Sequence, residues 1–450
     1  MIKENDKNNK EKLEIMNTNA AGIDIGSREH YVCVPVGRDQ ETVRKFSAFT
    51  TDLKEMVSWL KKCGIKTIAM ESTGVYWIPV FQILETNGFE VKLVNARHVK
   101  NVPGRKTDVQ DCQWIQRLHS YGLLNGSFRP SDQICVLRSY ARQRDRLIKS
   151  SKVHVNRMQK AFNEMNIQLH HVISDITGVT GMKIIKAIID GERNASTLAE
   201  FRDGRIKSNS KTIIKALEGD YRQEHLAILK QELELYEFYL TKIVECDELI
   251  QECYEKFDKP EKGVVLEEND KKRRVSKNAP KTFDLRQSLC NVTGIDFSKI
   301  PGFDVLTVQT IISEVGLDMG KWQTEKHFTS WLGLSPNNQI TGGKVFKTRT
   351  KKVVNKASIA LRIAALNLGR GKSALAGYYR RLKNKIGAPK AITATARKLA
   401  CIFYRLLKYG QDYVEQGIDA YEKQYKEQMV ANLKKRATVL GFELVQINSL

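Results

Sequence analysis

The chain predicts an α/β domain followed by an all-α region, on three observations. Residues 19–131 alternate short apolar strand patterns with amphipathic helical ones. Residues 132–260 carry long helical periodicities, including a heptad-like stripe. Residues 285–420 are mainly helical, interrupted near residue 340 by a glycine- and cation-rich stretch.

The first domain can be justified element by element. Residues 20–36, AAGIDIGSREHYVCVPV, give an apolar strand, a Gly-Ser turn and a second strand of alternating polarity. Residues 41–49 continue as a third strand. Over residues 51–62, Leu53, Met56, Val57 and Leu60 fall on one helical face. KTIAMEST reads as a buried strand ending at Glu71, and GVYWIPVFQILETNG as a helix stopped by Gly88. EVKLVN is a fifth strand, and TDVQDCQWIQRLHSYG is a helix with Thr107 as its N-cap. Three strands, helix, strand, helix, strand, helix is the order of the ribonuclease H and RuvC-like fold.

Four carboxylates fall where that fold gathers its acids. Asp24 lies on the first strand and Glu71 ends the fourth; Asp108 and Asp111 are three apart on a helix and leave from one face. Hard oxygen ligands on three elements can hold two Mg2+ (or Mn2+) ions about 3.5–4 Å apart, the arrangement that polarises a phosphodiester. A lone strand aspartate can instead end a strand, and an i, i+3 acid pair is often a solvated face. Four acids in the right topological order are what argue for a site. Arg105 and Lys106 precede Asp108, where they could hold a substrate phosphate. Gly22, Gly26 and Gly74 allow close backbone approach beside the acids. Tyr76 and Trp77 could stack on bases, although as helix residues they read more simply as core.

The 450 residues carry a formal net charge of +23, which fits a polyanion partner, nucleic acid foremost, better than a generically basic protein. No apolar run approaches the roughly 18 residues of a membrane span. Residues 1–18 are charged and lack a signal-peptide core, so they read as a disordered tail of a cytoplasmic, nucleoid-associated protein. The eight cysteines form no CxxC pair and are expected as free thiols, with Cys246 and Cys253, a heptad apart, on one buried face. His170-His171 reads as a helix-surface pair.

Residues 132–165 are helical and rich in Arg and Lys, and the stripe in QELELYEFYLTKIVECDELIQECYEKF suits an antiparallel coiled coil or arm. Residues 261–284 form a charged linker, and 421–450 a helical tail. Pro301-Gly302-Phe303 ahead of an apolar helix is similar to half of a helix-hairpin-helix, though a generic hairpin fits equally. In WLGLSPNNQITGGKVFKTRTKKVVNKASIALRIAALNL, an Asn337-Asn338 turn is expected before Thr341-Gly342-Gly343-Lys344. Lys344, Lys347, Arg349, Lys351, Lys352 and Lys356 follow, then an apolar helix to about Leu368. A hydroxyl beside two glycines and several cations could attack a phosphate. From residue chemistry alone, a basic hairpin that grips nucleic acid backbone is the simpler reading.

Together these motifs resemble the Piv-type insertion-sequence transposases, the family with a RuvC-like DEDD domain associated with bridge-RNA-guided recombination. The resemblance rests on GIDIG, MESTGVYW and KTDVQDCQWIQRLHSYGLLNGSFRP in the first domain. In the last domain it rests on IDFSKIPGF, SEVG, WLGLSP with the following TGGK, and a late Ala-Pro-Lys…Ala-Arg-Lys-Leu helix. It implies a DNA recombinase with Asp24, Glu71, Asp108 and Asp111 as catalytic metal ligands and residues 285–420 as a transposase domain. It also implies donor and target DNA, a structured guide (bridge) RNA, and a homo-oligomer, dimer or tetramer. Family members carry a nucleophilic serine just before Gly-Gly-Lys. This chain has Thr341, whose extra methyl restricts χ1 and crowds an in-line approach. Ser335 occupies a position the family fills with other small residues and does not inherit the role. Two alternatives follow: a RuvC-like metal nuclease with no covalent step, and a nucleic-acid binder whose catalysis ended with the threonine.

Overall fold

The computed structural model describes residues 14–72, 74–95, 107–260, 276–351, 353 and 355–410, with scattered positions from 423 to 443. Arg105, Lys106, Lys352, the Lys347 side chain, residues 1–13, residues 261–275 and most of the C-terminal tail lie outside the described residues. The chain divides into two compact units, Met1–Arg129 and Pro130–Leu450.

The first unit is built on a five-stranded sheet in the order β3-β2-β1-β4-β5. Its strands are β1 (Ala20–Ile25), β2 (Glu29–Cys33), β3 (Val43–Ser47), β4 (Thr67–Glu71) and β5 (Glu90–Val94). β1–β2 and β2–β3 pair antiparallel, whereas β4 runs parallel to both β1 and β5. Alternation along the strands sorts side chains to two faces. Ile23, Val32, Ile68, Met70 and Leu93 bury against α1 (Thr50–Lys62) and α2 (Trp77–Thr86), through Met56, Leu60, Val80 and Leu84. Ala69 and Val94, on the opposite face, pack with Ile115 of α3 (Asp108–Ser120) and with Leu124. Each such fully buried Ile or Leu contributes on the order of 1.5–3 kcal/mol of transfer free energy. The helix α2 begins at Trp77, after a turn in which Gly74 has φ 56°. Tyr76 therefore stands outside the core at 47% exposure, contrary to the expectation for a helix residue, while Trp77 packs against the core as expected.

The second unit is organised by two long helices, α4 (Asp132–Glu164) and α9 (Gln223–Glu255), of 33 residues each and so about 50 Å long. They pair antiparallel: Arg144 meets Asp247 near one end of the contact and His154 meets Glu232 further along. Between them lie α5 (Leu169–Val172), α6 (Val179–Ile189), α7 (Ala195–Ala199) and α8 (Ser210–Leu217). Ile184, Ile188, Leu198, Ile213 and Leu217 of these helices close on Phe162 and Leu229 of the long pair. His170 and His171 are an exposed pair with ring centroids 4.2 Å apart, as expected.

The remainder holds α10 (Leu285–Thr293), α11 (Val305–Val315), α12 (Glu325–Trp331), the hairpin β6 (Pro336–Thr341) and β7 (Lys344–Thr350), then α13 (Lys356–Leu368), α14 (Ala374–Ile386) and α15 (Ala388–Tyr409). At its centre Phe297 stacks on Phe403 and Phe303 meets both edge to face, and the Tyr404 hydroxyl donates to the Trp322 carbonyl at 2.9 Å. The expected Asn337-Asn338 turn is absent. Both residues lie within β6, opposite Arg349 and Thr348, and the chain reverses instead at Gly342-Gly343. The reason is local: a two-residue hairpin turn of type I′ needs positive φ at both central positions, and these glycines have φ 57° and 74°.

Candidate metal centre and hydroxyl hairpin

Topology brings Asp24 and Glu71 side by side. β1 and β4 are parallel neighbours in register from Ala20↔Thr67 to Ile23↔Met70, so the next position along each strand carries its acid. The Ser72 amide donates to the Val94 carbonyl at 3.0 Å, which ties the end of β4 to β5 just beyond Glu71. Asp24 and Glu71 are half-buried.

The other two acids arrive on α3. The Thr107 side chain accepts from the Gln110 amide, as expected for the N-cap, and Asp108 and Asp111 occupy the first turn. Anionic side chains there complement the positive end of the helix dipole. The helix is pinned over β1 and β4 at several points. It crosses β1 at Gly22, where its backbone leaves no room for a side chain. The Gln116 amide donates to the Ala20 carbonyl, and His119 Nε2 lies 2.9 Å from Thr67 Oγ1. The Asn17 side chain donates to the His119 carbonyl at 2.8 Å.

The electrostatics register this convergence. Burial first, then the charges of Asp111, Glu71 and Asp108, together raise the Asp24 carboxyl to a pKa of about 6. The other three acids therefore all bear on Asp24. Among the described residues, no three acids stand close enough to form a ready-made ion cluster. Oxygen-only donors that repel one another are the chemistry a hard divalent cation satisfies. Cys112, the residue after Asp111, shares a hydrogen bond with the Cys33 thiol; that contact and burial push it up.

Sequence reasoning passed over Thr67 and His119, which position α3. The available signal was His119 itself, seven residues after Cys112 and four after Ile115 on the buried face of the helix. Burial, with a smaller push from the nearby Lys92, drives its imidazole down to about 4. Gly22 serves helix packing. Gly26 makes the β1–β2 turn, where its amide donates to the Glu29 carbonyl at 3.0 Å.

In the second unit, Thr341 is the last residue of β6, exposed, and paired across the turn with Lys344. Lys344, Arg349 and Lys351 are exposed as well, and Ile340 and Phe346 stand out of the hairpin at 63% and 80% exposure. The hairpin thus displays a hydroxyl, several cations and two uncovered apolar side chains.

Residues 21–167 match a family model described as a transposase, the DEDD transposase of IS110. Residues 296–380 match the model of the transposase IS116/IS110/IS902 family. No match is found among curated proteins. Two models of one family, in order along the chain and together covering just over half of it, agree with the carboxylate-bearing sheet and the hairpin: the protein belongs to the IS110-type transposases.

Proposed function

We propose that this transposase cleaves and exchanges DNA strands through a divided site. Asp24, Glu71, Asp108 and Asp111 would hold Mg2+ (or Mn2+), and the Thr341 hydroxyl would be the nucleophile. The observation that carries the reading is the placement of Asp24 and Glu71 at adjoining ends of parallel strands, with α3 pressed over β1 to add two more acids. A bound divalent ion supplies Lewis-acid polarisation of the scissile phosphate.

The protein's own groups do the rest. Lys344, Arg349 and Lys351, with Lys347 and Lys352, would grip the phosphates flanking the scissile one, as Arg105 and Lys106 would beside the acids. The Thr341 Oγ1–P bond forms as the bond from phosphorus to the sugar oxygen breaks. The threonine proton leaves to solvent, and the departing sugar oxygen takes up a proton to become a free hydroxyl. The phosphothreonine link conserves the phosphodiester, so a second sugar hydroxyl can reverse the step on a new strand without another energy source. A hydroxyl and a metal platform on different units guard against stray cutting and make a homo-oligomer, dimer or tetramer, a natural working form. The structured guide RNA rests on the family resemblance alone and is proposed on that basis.

Protein, element RNA, donor and target DNA are incubated with Mg2+ and resolved under denaturing conditions. A covalent protein–DNA adduct that is lost in Thr341→Ala and in Asp24→Ala supports the reading. An adduct persisting in Thr341→Ala refutes the nucleophile. Cleavage without any adduct selects the plain metal nuclease.

A further inference from the structure

A groove of about 470 Å3 lies within the second unit, between α4, α11 and α13. Its two long walls differ in chemistry. Arg142, Lys149 and Lys152 recur along one face of α4 at helical spacing, and Lys356 faces them from the first turn of α13. On α13, Ile359 and Ile363 line the same groove one turn apart, yet are 48% and 53% exposed.

The cations are only partly spoken for. Asp145 lies between Lys149 and Lys356, 3.0 Å from each ammonium. Arg142 forms a fork with the Glu314 carboxylate at 2.7 and 2.8 Å. Lys152 is exposed. The acids lining the groove are Asp145 and Asp304, and Asp304 is occupied in capping α11 at the Thr307 amide. The groove therefore carries net positive charge along one wall and uncovered hydrocarbon along the other. A protein partner would have to bring acids to one side and apolar side chains to the other. An unpaired nucleic-acid strand has that division already, with phosphates on one edge and bases and sugars on the other. Lys149 and Lys356 share the single Asp145, so together with Lys152 the groove keeps surplus positive charge for roughly two phosphates. The groove also reaches the root of the hairpin, since α13 begins at Lys356 shortly after β7 ends at Thr350.

We infer that this groove holds single-stranded DNA, the strand released when the duplex opens at the Thr341 hairpin. The inference rests on the strand-exchange reading for why such a strand exists. Its test is independent of chemistry. The full chain is titrated, without divalent metal, into a fluorescently labelled single-stranded DNA oligonucleotide over a salt series. Lys152→Glu weakens binding severalfold and lowers the slope of log affinity against log salt by about one. Ile363→Asn weakens binding at unchanged slope. Thermal melting confirms that both variants are folded. Binding and slopes equal to wild type in both variants overturn the groove, and so does a loss confined to an RNA oligonucleotide of the same sequence. Loss of DNA binding in both variants, together with adducts that persist in Thr341→Ala, keeps the groove and removes the nucleophile.

Discussion

Gly22 and Gln116 meet backbone to backbone: a Cβ on Gly22 would stand 2.3 Å from the Gln116 amide nitrogen and 2.5 Å from the Cys112 carbonyl oxygen. No rotamer relieves this clash, because both atoms belong to the main chain of α3. Gly22→Ala must lift the helix, and Asp108 and Asp111 with it. Overpacking of this kind costs at least about 1–3 kcal/mol. The variant should melt lower and lose strand cleavage. Unchanged melting and cleavage would mean that α3 is not seated on β1.

Asp24 carries a stability cost that the proposed metal role would explain. Its folded pKa is raised from 3.8 to about 6, so the folded state binds more protons between those values. Stability therefore falls as pH rises from about 4 to about 6, and the full cost is present above that window. Asp24→Asn removes the charge and should raise stability near pH 7.5 by on the order of 1 kcal/mol, after discounting for solvent screening of a half-buried group. The gain should vanish near pH 4. Millimolar Mg2+ should raise the melting temperature of the wild type and leave Asp24→Asn nearly unmoved. Equal metal responses would remove Asp24 from the ligand set.

The opposite sign holds for His119, whose imidazole is driven from 6.5 down to about 4. Here the unfolded chain binds the extra proton. The contribution is complete above about 6.5 and is lost as pH falls toward 4. It is best read in the Asp24→Asn background, where the opposing carboxylate is gone. There, melting temperature should fall between pH 6.5 and 4, and His119→Phe should flatten that slope. An unflattened slope would assign the acid sensitivity elsewhere.

The order of strands and helices in the first unit was legible because each strand is short and bounded by a turn or a helix pattern. Asp24 and Glu71 were legible because they stand at strand ends in a known order. What set α3 in place was not legible. A glycine two residues before an aspartate looks like substrate clearance, and only the path of α3 shows that it is helix clearance. The Asn337-Asn338 expectation failed for a similar reason. Both pairs are turn formers, and Gly342-Gly343 wins because glycine takes positive φ at no steric cost, which holds Asn337 and Asn338 in the strand. The stripe on α9 was visible as a coiled-coil or arm pattern, but its pairing with α4 is set by polar partners 103 and 78 residues apart, which periodicity cannot name.

The clearest of those partners are Arg144 and Asp247, at 6% and 4% side-chain exposure, with Arg144 also donating to the Asn278 carbonyl at 2.8 Å. Removing one member leaves an uncompensated buried charge. Asp247→Ala should destabilise the second unit by about 3–5 kcal/mol. Replacing both by hydrocarbon, Arg144→Met with Asp247→Leu, should recover most of that loss in chemical denaturation. If the single and double variants unfold alike, the pair contributes packing alone.

Thr341 supplies the last test, since it separates a tolerated nucleophile from an obstructed one. It ends β6 directly before two glycines of positive φ, so its backbone is set by the turn and its χ1 by the branched Cβ. Serine keeps the hydroxyl and frees that torsion. If the methyl holds Oγ1 off the in-line direction, correcting an off-rotamer strain of about 0.5–1.5 kcal/mol makes Thr341→Ser form adduct about two- to tenfold faster. Thr341→Ala forms none. Single-turnover adduct formation with saturating DNA reads this directly, because binding is then complete before the step. A serine variant no faster than wild type shows that threonine reaches the phosphate unhindered; a serine variant that reacts where wild type does not shows that the methyl alone arrests strand transfer.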